Sequence, residues 1–129
     1  MKKAVFLVVL VLLLCFTSCA SPTFDTETYE GIKALVEYKG CSVSEMDDAE
    51  LTRLQTAQNE IGTVYEAAFV RGFYAQTKDS QHNNLACIEA ASEGDAYTLY
   101  LSVLNRGYYA IRQDTLVVYS DRAYVNNWF

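Results

Sequence analysis

Two lysines followed by thirteen unbroken apolar residues open the chain, from Ala4 to Phe16 in MKKAVFLVVLVLLLCF. This stretch decides how much sequence is left to fold. A spanning helix needs about 20 apolar residues, so the run is too short for a permanent anchor. A positive start, a short apolar core and then small residues are the layout of an export signal that is removed. The reading divides the 129 residues into a signal over 1–18, a tether over 19–25 containing the only proline, Pro22, and one domain over 26–129. About 110 residues suffice for one modest core.

The signal ends in Phe16-Thr17-Ser18-Cys19, which resembles the lipobox of bacterial lipoprotein precursors. Thr17, Ser18 and Cys19 fit its pattern, and Phe16 departs from the usual aliphatic residue. Leu12-Leu13-Leu14-Cys15 is a poorer match, because Leu14 is bulky just before the cysteine. The resemblance implies diacylglycerol on the Cys19 thiol, cleavage before Cys19 and acylation of the new amine. Several acyl chains anchor stably where a single chain is marginal. In that family an Asp after the cysteine favours inner-membrane retention. Ala20 and Ser21 follow here, so the expected address is the periplasmic face of the outer membrane in a cell with two membranes. The alternative is an ordinary signal cleaved near Ser18 to Ser21, releasing a secreted protein.

Beyond residue 18 there are eight Lys and Arg against sixteen Asp and Glu, a formal charge of −8. Such a domain repels phosphate and anionic lipid, which disfavours nucleic acid as a partner and leaves membrane contact to the acyl chains. A basic protein partner is compatible. Cys15 leaves with the signal and Cys19 carries lipid, so Cys41 and Cys87 remain. In an oxidising compartment two such thiols usually pair. A bridge closing that loop would stabilise by about 4 kcal/mol in the chain-entropy model. The other reading is two separate buried thiols.

Periodicity predicts a mainly α domain: a bundle of four to five helices around one long central helix. Tyr29, Ile32, Leu35 and Val36 form a helical stripe within Thr26–Lys39, stopped by Gly40. Asp47 with Glu50 suits a helix start. Leu51, Leu54, Ile61, Tyr65, Ala68, Phe69 and Phe73 then keep helical spacing to about Thr77, with Gly62 and Gly72 as weak points. Lys78–Asn84 is a polar loop, and Leu85–Ala91 reads as a short helix. From Asp95 to Gln113, Thr98, Ser102, Asn105, Arg106, Arg112 and Gln113 share one helical face. Tyr97, Tyr100, Leu101, Leu104, Tyr108 and Ile111 share the other, which reads as the core side. Leu116–Trp128 is expected to be a last helix, although Thr115–Tyr119 is β-prone. The alternative is an α+β fold with a C-terminal β-meander packed on the long helix.

Catalytic signals are weak. The single histidine, His82, lies in the polar loop near Asp79, where a solvated role is the expected one. No Cys/His set has zinc spacing. No G-x-S-x-G or glycine-rich phosphate loop occurs. The densest acids, Asp47, Asp48 and Glu50, suit a helix N-terminus. The expectation is therefore no catalytic residue, no metal, no cofactor and no small-molecule substrate. Ten tyrosines and Trp128 suit protein contact as well as core packing. Tyr65, Phe69, Phe73 and Trp128 are the expected partner-binding residues.

A helix ending at Cys41, the polar stretch Ser42–Asp48, the long helix and the Tyr74–Cys87 segment together resemble small helical pilotin lipoproteins of secretion systems. The likeness covers about half of the domain and implies helices that grip a helical segment of an outer-membrane secretin. The functional expectation is a lipid-anchored accessory module of the cell envelope that binds another envelope protein. Small periplasmic immunity or inhibitor proteins are the alternative, ahead of a small envelope enzyme.

The anchor is directly testable. Cys19→Ala should abolish incorporation of labelled palmitate and leave unprocessed precursor. A variant still labelled would exclude Cys19 as the lipid site.

Overall fold

The computed structural model describes residues 22–60 and 67–129. Cys19 and Tyr65 lie outside these residues. The elements in chain order are α1 (Tyr29–Tyr38), β1 (Ser42–Glu45), α2 (Asp48–Glu60), β2 (Phe69–Gln76), β3 (Leu85–Ala90), α3 (Glu93–Asn105), β4 (Tyr109–Gln113), β5 (Leu116–Ser120) and a 3-10 helix at Ala123–Trp128. The five strands form one antiparallel sheet in the order β1-β2-β3-β5-β4. The expected helical bundle is thus replaced by an α+β sandwich with a sheet in the middle.

Strand alternation divides the core in two. Phe73, Ala75, Leu85, Cys87, Leu116 and Val118 face α1 and the 3-10 helix. Ile88, Ala90, Val117 and Ala110 face α2 and α3, meeting Leu51, Ala96, Leu99 and Val103. β3 and β5 are covered on both sides, so LACIEA and LVVYS are almost continuously apolar. Such runs carry no period-2 signal and imitate buried helix, which is why both segments read as helical in the sequence.

The long helix fails for a related reason. α2 is described as far as Glu60, and Phe69–Gln76 is β2, paired on both edges with β1 and β3. The spacing of Phe69 and Phe73 fits a helix but also fits alternate strand positions. Gly72 tips the choice: a Cβ there would meet the Ile88 side chain at 2.7 Å and the Cys87 carbonyl oxygen at 3.0 Å. The position needs glycine in a strand, and glycine weakens a helix by about 1 kcal/mol.

α1 is the helix the sequence specifies best. Tyr29, Ile32, Leu35 and Val36 are all buried, and Thr28 caps the start by accepting from the Gly31 amide. At its end Gly40 has φ +89°. The Gly40 amide donates to the Glu37 carbonyl at 2.9 Å and the Cys41 amide to the Val36 carbonyl at 3.2 Å. This paired closure satisfies the last carbonyls and turns the chain toward β1. Tyr29 ties the helix to the sheet. Its hydroxyl donates to Glu45 at 2.6 Å, and the Arg71 guanidinium lies 4.0 Å from its ring centroid.

α3 begins earlier than the spacing implies. Ser92 accepts from the Asp95 amide at 3.1 Å and caps the helix. The helix ends at Asn105, before Gly107 at φ +90°. The remainder of the expected helix is β4, joined to β5 by a two-residue turn at Asp114-Thr115, with Asp114 at φ 52°.

Gly40→Ala should destabilise the protein by about 1–2 kcal/mol, the penalty for a side chain in left-handed backbone. Its Cβ would also meet the Lys78 side chain at 2.1 Å. Urea unfolding followed by circular dichroism measures this. A neutral result would mean that the closure of α1 does not constrain the domain.

Candidate functional site

Of the residues expected to bind a partner, the three described ones, Phe69, Phe73 and Trp128, do not form one surface. Phe73 is fully buried between α1 and the sheet, its ring 5.5 Å edge-on from that of Tyr29. Phe69 is half-buried beside the α2–α3 core. Trp128 is partly buried in the 3-10 helix, against the core on the α1 side, with Lys39 and Tyr124 beside its ring. Both Phe69 and Phe73 lie in strand β2, against opposite faces of the sheet, so they do not line a groove on a helix as expected.

Cys41 and Cys87 are both buried free thiols, and the expected bridge between them is not made. The register explains this. Cys87 stands opposite Phe73, while Cys41 precedes Ser42, which stands opposite Gln76. They are therefore about 13 Å apart along the strands and ~9.5 Å across them, against a Cα separation of about 7 Å at most for a disulfide. Burial pushes both thiols above their ordinary range, which makes them poor nucleophiles.

The acidic cluster does what its position implies. The Asp47 carboxylate accepts from the Glu50 amide at 2.8 Å. Glu50 pairs with Arg53 and accepts from the Tyr74 hydroxyl at 3.1 Å. Arg53 holds the Glu50 carboxyl below its usual range. His82 is exposed, with its amide bonded to Ser80. Among the described residues no cluster of His, Cys, Asp and Glu could hold a metal ion, and no helix is long and apolar enough to cross a membrane.

The most unusual surface is the outside of α3. The helix buries Ala96, Leu99, Ser102 and Val103 against the sheet. Its opposite side carries Tyr97, Leu101 and Leu104, which are 50 %, 41 % and 38 % exposed. They follow i, i+4, i+7 spacing and form one stripe. The sequence places these three residues in the core and Ser102 at the surface; the structure reverses both. Ser102 even buries a hydroxyl with no hydrogen-bond partner among the described residues. The alternative inner stripe, Ala96-Leu99-Val103, is visible in the sequence but is outweighed by the larger apolar residues. Arg112 of β4 lies 5.6 Å from the Tyr97 ring centroid and fixes that end of the stripe. Chemically the surface offers apolar area and one phenol, suited to association and not to bond-making.

Comparison with protein-family models, curated proteins and solved structures gives no match.

The two thiols give a clear readout. The native protein should react slowly with a maleimide at Cys41 and Cys87, and both should alkylate fully after unfolding without reductant. Mass spectrometry showing a Cys41–Cys87 linked peptide would contradict the observed geometry.

Proposed function

We propose that this protein is a lipid-anchored, extracytoplasmic accessory module that works by binding another protein of the cell envelope. The observation that carries the reading is the reversed α3. A helix that is apolar on its outer side as well as its inner side is normally covered on both. Here the outer stripe is open, and contiguous exposed apolar residues mark association sites.

The occupant that fits best is a helix of the partner protein, laid along Tyr97, Leu101 and Leu104. A ridge of residues four apart is the usual contact between packed helices. The formal charge of −8 beyond the signal favours a partner helix with basic flanks, which also speeds encounter. The lipid on Cys19 would hold both proteins at one membrane and raise their effective concentration. An acyl anchor and an open protein-binding helix together describe an assembly or accessory role without catalysis.

A photoreactive residue at position 101 should crosslink one envelope protein in intact cells, while the same residue at exposed Glu37 should not. Leu101→Lys should weaken that association by about tenfold or more, with stability changed by no more than ~0.5 kcal/mol. Adducts with lipid alone, adducts with a second copy of the same chain, or equal crosslinking from both positions would overturn the reading.

A further inference from the structure

On the sheet face that α2 and α3 cover, a cavity of about 220 Å³ opens between α2, the end of α3 and the strands. We infer that this cavity is a binding site for a small planar carboxylate, a ligand class that the sequence gives no reason to expect. The site is independent of the outer face of α3.

The register shows how the cavity arises. Tyr74, Ala86 and Tyr119 lie side by side across β2, β3 and β5. A small side chain between two large ones leaves a hollow in the middle of the row. Helices α2 and α3 then pass on either side and bring Arg53, Arg106 and Tyr108 to the rim. The volume corresponds to about seven waters at ~30 Å³ each. It is smaller than the usual range for drug-sized ligands and suits a body of about ten non-hydrogen atoms.

The lining has the opposite charge to the rest of the domain. Acids outnumber bases two to one beyond residue 18, yet among the described residues the wall contains two arginines and no carboxylate. The two arginines are not equivalent. Arg53 is held by Glu50 at 2.5 Å and reaches the Tyr74 hydroxyl at 3.3 Å. Arg106 is exposed and has no carboxylate partner among the described residues; its guanidinium lies 5.6 Å from the Tyr108 ring centroid. A free guanidinium at a rim is a planar, two-pronged donor that matches a carboxylate.

The aromatic groups supply the remainder. The Tyr108 and Tyr119 rings meet edge-on at 5.5 Å, with their planes 72° apart, and form an apolar corner, against one face of which a planar ring packs well. Tyr119 is half-buried, and its hydroxyl makes no hydrogen bond among the described residues. Burial raises its pKa, so it stays protonated and able to donate at neutral pH. A ligand oxygen in the cavity would accept a hydrogen bond from this hydroxyl.

The test is calorimetric titration of the full-length protein in detergent with 4-hydroxybenzoate. Benzyl alcohol (a ring without the carboxylate) and inorganic phosphate (an anion without the ring) are the comparison probes. Saturable binding of 4-hydroxybenzoate is expected at about 10 μM to 1 mM, with both comparison probes weaker by about tenfold or more. Arg106→Ala should weaken binding by about tenfold. Tyr119→Phe should weaken it a few-fold while leaving the melting temperature unchanged or higher. Ala86→Leu should fill the hollow and abolish binding. Should Ala86→Leu not fold, the exposed Arg106→Ala still decides. No saturable binding of 4-hydroxybenzoate, equal binding of either comparison probe, or full binding by a folded Arg106→Ala protein would overturn the inference.

Discussion

The fold depends on the burial of β3 and β5 on both faces. Cys87 and Val118 point to one side, Ile88 and Val117 to the other, and all four are almost fully buried. Each large apolar side chain removed from water contributes about 1.5–3 kcal/mol, so neither face can be left bare. One helix and the 3-10 segment cover the first face, and two helices cover the second. The ion pairs around Tyr29 are different in kind. Lys33–Glu45, Arg71–Glu89 and Arg71–Glu30 are substantially exposed, and exposed pairs contribute little individually. Lys33–Glu45 and Arg71–Glu30 orient α1 on a core that already exists, and Arg71–Glu89 joins β2 to β3.

Double coverage also frames the outer side of α3. The helix makes its contribution to the core with small and medium residues, Ala96, Leu99 and Val103, leaving its larger apolar residues outside. That is a poor arrangement for an isolated domain and a sensible one for a component of a larger assembly. The cavity follows from the same economy on the sheet: Ala86 sits where a larger residue would complete the layer between Tyr74 and Tyr119. One feature faces outward and is apolar, the other is recessed and cationic.

α1 was legible in the sequence because its apolar stripe and the glycine at its left-handed stop agreed, although the Thr28 cap that sets its start was not read. The helix start at Asp47 was legible for the same reason. The three inner strands were not. LACIEA and LVVYS are apolar on both faces, and FVRGFYAQ matches both periods, so the deciding information is long-range pairing. α3 was recognisable as a helix, yet its orientation was not, because side-chain size argued for one face and packing used the other. The cavity residues come from α2, β2, the loop before β3, β3, β5 and the turn after α3, and no local pattern unites them. The two cysteines show the limit of arguing from compartment alone, since strand register keeps them apart.

The position of β5 has a consequence for how the molecule is made. It is an inner strand, yet it is the last of the five in chain order. Chains emerge from the ribosome N-terminus first. Until β5 arrives, β3 is the border of a three-stranded sheet, with an apolar, unpaired edge that invites wrong pairing. The β4–β5 turn is only two residues long, so this hairpin can form quickly and dock as a unit. Completion of the sheet therefore waits for its last strand, and a chain cut before Leu116 would leave one edge of β3 unpaired.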